Sequence, residues 1–157
     1  MIGGGYVGLV SGACFAEFGI HVSVVETNPA RLSALREGRI PIYEPGLDSL
    51  VASNSQAGRL TFGDDIAQAV AGAEAVFIAV GTLPLNGEVA AGLQYLHASA
   101  RQIAQAITGY TVLCTKKTVP AGTSRRIADI ILYTRPQAAL YVTTYPQLPL
   151  AVHAIVD

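Results

Sequence analysis

The sequence predicts an α/β fold, a doubly wound parallel sheet in three αβα layers, and three observations carry that prediction. Short β-branched runs alternate with longer amphipathic segments, a glycine-rich turn opens the first helical segment, and the run that follows it ends in an acidic residue. Strand and helix in this alternation are the pattern of parallel strands joined by crossover helices.

Taken in order, Met1 and Ile2 stand where a strand of about five residues should precede the glycine turn, so the first strand reads as cut short. A helix over residues 6–18 ends at Gly19, and the run 21–26 is the next strand. A second helix starts at Asn28 with Pro29 in the favoured first position and closes at Gly38. The strand at 60–62 leads to a short helix over 64–70, capped by Asp64 and stopped near Gly72. Strands at 75–80 and 111–116 alternate with helices over 93–107 and 124–132. From residue 133 onward, with Pro136, Pro146 and Pro149, one short strand at 140–143 is followed by irregular chain. No linker, internal repeat or low-complexity tract divides the 157 residues, which predicts one domain over 1–157.

Apolar residues make up 51% and charged residues 13% of the chain, which predicts either a sheet buried on both faces or a domain with surface to be covered by a partner domain. So little charge also predicts that the chain on its own associates readily. Ten basic and eleven acidic residues leave a net charge of −1 without a run of five like charges, which argues against a nucleic-acid or membrane-surface partner. The most apolar stretch, residues 75–80, is too short to span a bilayer, and no charged-then-apolar leader opens the chain, so the expected location is cytoplasmic. Cys14 and Cys114 lie in separate apolar runs, and His21, His97 and His153 share no ligand spacing, so neither a disulfide nor a metal site is expected.

The residues that carry chemistry begin with Gly3-Gly4-Gly5-Tyr6-Val7-Gly8, a G-x-G-x-x-G opening a helix. Alone the motif is weak; followed by a strand that ends in Glu26, 18 residues past Gly8, it reads as the dinucleotide-binding turn of a Rossmann-type sheet. Gly3 permits the tight turn, Gly5 lets backbone approach a pyrophosphate, and Gly8 allows the helix to pack closely on the strand. The helix N-terminus offers free N–H groups to the phosphates, and the Glu26 carboxylate suits the adenosine ribose hydroxyls. A carboxylate there repels the 2′-phosphate of NADP, which favours NAD. Arg31 leaves two alternatives open, a contact at the adenosine end that would also accept a phosphate, or an exposed helix arginine. Thr82 and Thr118 follow strands at their carboxyl ends, where open α/β sheets bind ligands. An isolated threonine in such a place more often caps a helix or forms a turn.

At this point four segments together resemble a known family. They are Gly5-Tyr6-Val7-Gly8-Leu9-Val10-Ser11-Gly12, Ile40-Pro41-Ile42-Tyr43-Glu44-Pro45-Gly46-Leu47, Val80-Gly81-Thr82, and Thr118-Val119-Pro120-Ala121-Gly122-Thr123. In order and spacing the chain is similar to the NAD-binding domain of the UDP-glucose/GDP-mannose dehydrogenases, most of all the UDP-glucose 6-dehydrogenase branch, across Met1 to about Leu132. The second segment is the most specific, because no general dinucleotide fold requires it.

The resemblance implies an enzyme that oxidises UDP-glucose twice to UDP-glucuronate while reducing two NAD, and that is a homodimer when full length. It implies cofactor contacts from Gly3, Gly5, Tyr6, Val7, Gly8, Glu26, Arg31, Thr82 and Thr118. The family usually has aspartate where this chain has Glu26, and the longer side chain still reaches ribose. The thiolate nucleophile that the second oxidation needs lies in a later domain of the family, together with a helper lysine and asparagine, so no catalytic residue is assigned here. Neither Cys14 nor Cys114, in apolar surroundings, suits that role. After the last strand, Gln147 and Ala151 stand where the family carries two glutamates, Leu83 replaces a proline and Lys117 a small hydroxyl residue. Neither Gln147 nor Ala151 can act as a general base. The implied enzyme therefore has two rivals, an inactive NAD-binding module and a dehydrogenase of another nucleotide sugar such as GDP-mannose or a UDP-N-acetylhexosamine.

Overall fold

The structure is a computed structural model that describes residues 1–81, 89–116 and 119–144. Its elements run α1 (Tyr6–Glu17), β1 (Val22–Val25), α2 (Pro29–Arg36), α3 (Leu47–Gln56), β2 (Leu60–Gly63), α4 (Ile66–Val70), β3 (Ala75–Ile78), α5 (Val89–Ala106), β4 (Thr111–Thr115), α6 (Thr123–Thr134) and β5 (Leu140–Thr144). All pairings are parallel: β1 with β2, β3 with β4, and β4 with β5.

Ile2 joins these two groups of strands. It bridges Val25 on one side and Ile78 on the other, both in parallel. Its N–H donates to Phe77 O at 2.7 Å, and its carbonyl accepts from Ala79 N at 2.8 Å. On the other side, Val25 N donates to Met1 O and Gly3 N to Val25 O, each at 2.8 Å. The expected first strand is thus present as a two-residue stub in the middle of one sheet, in the spatial order β2, β1, Ile2, β3, β4, β5. The order in which the strands are laid down reverses at Ile2, and open α/β sheets bind ligands in the crevice beyond such a point.

Each face of the sheet carries its own core. Val24 packs with Leu9, Val10, Ala13 and Ala16 of α1, with Leu35 of α2, and with Leu47 and Val51 of α3. Its neighbour Val25 points the other way, into a core of Ile66 and Val70 of α4, Ile103 and Ile107 of α5, and Ile127 and Ile131 of α6. Successive strand residues alternate in direction, so one β-branched run serves both layers. The three-layer αβα prediction is met.

Intrinsic propensity does not explain α1, whose sequence YVGLVSGACFAE holds two glycines and two valines, all costly in a helix. Packing does: a Cβ at Gly12 would stand 3.2 Å from Val24 Cγ2, so glycine lets the helix lie directly on β1. Leu9, Ala13 and Ala16 are fully buried there, each buried leucine contributing about 1.5–3 kcal/mol. Gly19, in the left-handed region at φ 89°, ends the helix as expected, and Gly38 at φ 75° ends α2. Asn28 caps α2 by accepting from Arg31 N at 3.0 Å, with Pro29 first in the helix.

One helix was not expected and three expectations need correction. Residues 47–56, to which no element was assigned, form α3, whose inward face includes a polar residue, Asn54, where an apolar one would have revealed the period. The cap of α4 is Asp65, accepting from Ala67 N at 2.7 Å and Gln68 N at 3.1 Å, rather than Asp64. Helix α5 begins at Val89 instead of residue 93. Helix α6 runs on to Thr134, which places Tyr133 in a helix and not in the tail.

Candidate functional site

The glycine turn leaves the stub of Ile2 and enters α1 at Tyr6. Gly3 has φ 109°, which a side chain would strain, and a Cβ on it would lie 2.8 Å from Ala79 O. At Gly4 a Cβ would meet Glu26 Cβ at 3.0 Å and Glu26 Oε2 at 3.1 Å, so the Glu26 carboxylate lies directly beside the turn. Gly5 differs from both: no atom lies within 4 Å of a Cβ built there. Its backbone is extended, and it is the N-cap of α1, with no side chain of its own to cap the helix. The N–H groups of Gly5, Tyr6, Val7 and Gly8 precede the first intrahelical bond, Leu9 N to Gly5 O at 2.9 Å. The result is an open approach to uncapped amides at the positive end of a helix dipole, which suits an anionic group.

Gly8 serves a different need. A Cβ on it would lie 1.9 Å from Gly3 O and 3.3 Å from Ala79 Cβ. The third glycine therefore lets the helix close over the turn's own carbonyl and over Ala79 just past β3, while Gly12 lets it lie on β1.

Glu26 follows β1 directly, is 5% exposed, and donates its own N–H to Gly63 O at 2.8 Å. Oε1 accepts from Asn28 N at 2.8 Å, and Oε2 accepts from Arg31 Nη1 at 3.0 Å. Both oxygens are thus fixed by the start of α2, yet a carboxylate offers about four lone-pair positions, which leaves acceptor capacity for a ligand. Arg31, on the exposed side of α2, pairs with Glu26, the Glu26 side chain 7% and the Arg31 side chain 44% exposed. A cleft lined by Glu26, Thr27, Pro29, Leu32, Ser33, Arg36, Glu37 and Asp64 opens beside this pair.

The structure thus brings Gly3, Gly5, Tyr6, Val7, Gly8, Glu26 and Arg31 together at one end of the sheet. Thr82 and Thr118 lie outside the described residues, as do Leu83, Lys117, Gln147 and Ala151. The segments leading to both threonines converge there, since Ala79 packs on Gly3 and Lys116 N donates to Ile78 O at 3.0 Å.

Two long-range contacts at α1 were not foreseen. The Tyr6 hydroxyl donates to Oε2 of the buried Glu44 at 2.5 Å, and this contact, with burial and the Glu44 charge, raises the phenol above its ordinary value. Lys116 Nζ donates to Ser11 Oγ at 2.6 Å, Ser11 Oγ donates to Val7 O at 2.6 Å, and the ammonium lies 6.0 Å from the centre of the Phe15 ring. The only signal in the sequence was that Glu44 stands in the most specific segment; its partner lies 38 residues away. Cys14, on the same helix, is held as a thiol by burial, with Glu44 raising and Lys116 lowering its value.

Comparison with known proteins agrees with this geometry. The sequence profile of the UDP-glucose/GDP-mannose dehydrogenase family, NAD binding domain, matches residues 1–157. A UDP-glucose 6-dehydrogenase from Rhizobium meliloti (strain 1021) is 52% identical over 147 residues, covering 94% of this chain and 34% of its own length. Among solved structures, a UDP-glucose dehydrogenase from Pyrobaculum islandicum is 35% identical with a TM-score of 0.84, over 94% of this chain and 35% of that one. A GDP-mannose dehydrogenase from Pseudomonas aeruginosa, solved as a ternary complex, is 30% identical with a TM-score of 0.85, over 94% and 35%. The chain spans about a third of the length of the curated relatives it matches. It belongs to the UDP-glucose/GDP-mannose dehydrogenase family, of which it is the NAD-binding domain.

Proposed function

We propose that this chain is the NAD-holding N-terminal domain of an enzyme that oxidises UDP-glucose to UDP-glucuronate in two steps. The observation that carries the site assignment is the open approach at Gly5, beneath the uncapped amides of α1 and beside the buried Glu26 carboxylate. Gly5, Tyr6, Val7 and Gly8 hold the pyrophosphate through their N–H groups, and Gly3 shapes the turn. Glu26 accepts from the adenosine ribose hydroxyls. Arg31 holds the Glu26 carboxylate in place, and because that guanidinium is already engaged, a 2′-phosphate would meet the negative charge first. Thr82 and Thr118, which follow β3 and β4 in the sequence, are the further cofactor contacts of this reading. Bound NAD supplies a hydride acceptor, and the chain's part is to orient it and hold it by its phosphates and ribose.

The choice of UDP-glucose rests on the relative at 52% identity that bears that substrate in its name. The groups that bind the sugar and attack the aldehyde belong to the rest of a longer protein, which we propose acts as a homodimer in the cytoplasm.

Calorimetric titration of the folded chain with NAD and with NADP tests the site. Saturable binding with NAD preferred is expected. Glu26→Ala should weaken NAD about tenfold, the order of one hydrogen bond to a charged group, and narrow the preference over NADP. A folded chain that binds no NAD would overturn the assignment. The substrate is tested on the longer protein, where two NADH per UDP-glucose is expected; turnover of GDP-mannose instead would replace the substrate and keep the cofactor site.

A further inference from the structure

We propose that Glu44 is a positioning residue for the pyrophosphate site, acting through the Tyr6 hydroxyl to set the first turn of α1. The proposal rests on the assignment of that turn to the dinucleotide phosphates and adds to it a residue from a different part of the chain.

The segment that carries Glu44 is built to hold it still. Ile40 and Ile42 are half-buried against the core shared by α1 and α3, and Leu47, just beyond, is fully buried in it. Leu47 N donates to Glu44 O at 3.1 Å, and Gly46 turns the chain in the left-handed region at φ 79° before α3 begins. Tyr43 is 91% exposed and contributes nothing to this anchoring, whereas Glu44 is 8% exposed. A buried carboxylate is costly unless hydrogen-bonded, so its contact with a phenol is a fixed part of the fold.

Tyr6 is the first residue of α1, and its N–H is among the uncapped amides. A tyrosine has two side-chain torsions, so holding its hydroxyl at 2.5 Å largely fixes the direction of its Cα–Cβ bond. That in turn fixes the peptide planes on either side, whose N–H groups point at the phosphate. The hydroxyl is spent on Glu44, which leaves the backbone of Tyr6 as its contact with the dinucleotide. Glu44 thus acts on the phosphates without touching them, and the adenosine end, held by Glu26, lies outside its reach.

The test compares Glu44→Ala, Tyr6→Phe, the double variant and Glu44→Gln in the full chain, with ADP and adenosine as probes. Affinity for ADP should fall about tenfold in each of the first two, with adenosine affinity unchanged. The double variant should be no weaker than either single one, because both remove the same contact. Glu44→Gln, whose amide oxygen still accepts from the phenol, should retain most of the affinity. Equal losses for ADP and adenosine, or additive losses in the double variant, would overturn the proposal. A separate measurement needs no ligand: hydrogen exchange of the Leu9 amide, the first to close the helix, should quicken in Glu44→Ala and Tyr6→Phe. Unchanged exchange there overturns the proposal whether or not ADP binds, while failure of the unaltered chain to bind ADP counts against the phosphate assignment.

Discussion

Gly5 and Gly8 are three residues apart in one motif, and what surrounds each separates binding from folding. A methyl group on Gly8 would be driven into the Gly3 carbonyl, backbone that cannot step aside. Gly8→Ala should therefore destabilise the chain by about 1–3 kcal/mol, as overpacking does, or prevent folding, read as the urea midpoint. A methyl on Gly5 meets open space on extended backbone. Gly5→Ala should stay within about 1 kcal/mol of the parent in stability and still lose NAD affinity, by calorimetry. Equal stability losses in both would show that Gly5 is structural and that the approach is not where the pyrophosphate lies. These glycines were legible because the spacing of the motif reflects one rigid turn. The pairing of Arg31 with Glu26 was not, because a side chain five residues along has several partners within reach. Glu44 stands in the most specific segment, yet its role is not legible there, since nothing local says what a buried carboxylate will meet.

Elements with a clean apolar period were read correctly, and α3 was missed because it breaks that period. Asn54 occupies an inward position of α3 and is fully buried, satisfied by Glu17 Oε2 at 2.7 Å, Leu50 O at 2.9 Å and Arg59 Nε at 2.9 Å. Polar residues inside a helix face are invisible to a count of apolar ones. Helix α5 carries a half-buried histidine, His97, whose Nε2 is buried without a partner among the described residues. Burial, then Arg126 of α6, then Arg101 of α5 itself, hold its value below the ordinary 6.5. The unfolded chain therefore takes up this proton first as the pH falls. The stability that His97 contributes is complete above about 6.5 and lost below it, levelling off once the folded form is protonated too. His97→Phe should flatten the dependence of the urea midpoint on pH between about 7.5 and 5.5. The same slope in both proteins would show that His97 does not control it.

At the scale of the whole molecule, one buried residue closes the sheet. Ile2, 3% exposed, is the centre of the Met1–Gly3 stub that joins β1 to β3 within the sheet, and its side chain lies in the core beneath α5 and α6. Ile2→Ala should cost about 2–5 kcal/mol, the range for a buried isoleucine, seen in urea unfolding by circular dichroism. A cost under about 1 kcal/mol would mean that the backbone bonds of the stub, rather than its side chain, hold the halves together. The sheet is covered on both faces, as one of the two readings of the apolar excess expects. Among the described residues nine large apolar or aromatic side chains remain exposed, Phe18, Tyr43 and Tyr133 the most, at 82%, 91% and 92%. Among the described residues no helix is long and apolar enough to cross a membrane.

By itself the sequence determined the α/β class, the order of strands and helices apart from α3, the glycine turn, the acidic residue that follows it, and the family. Each of these is a local signal: a period of two or of 3.6, a glycine where backbone must turn or come close, a spacing between motif residues. The tertiary structure decided the rest. A two-residue stub can do the work of a strand only because β1 and β3 supply hydrogen bonds on both sides. Gly8 opposes Gly3, Arg31 holds Glu26, and Glu44 reaches Tyr6 only once α1, α2 and the segment before α3 pack on one face of the sheet. Contacts between residues 38 or 105 positions apart depend on how the layers close, and no period or motif along the chain encodes them.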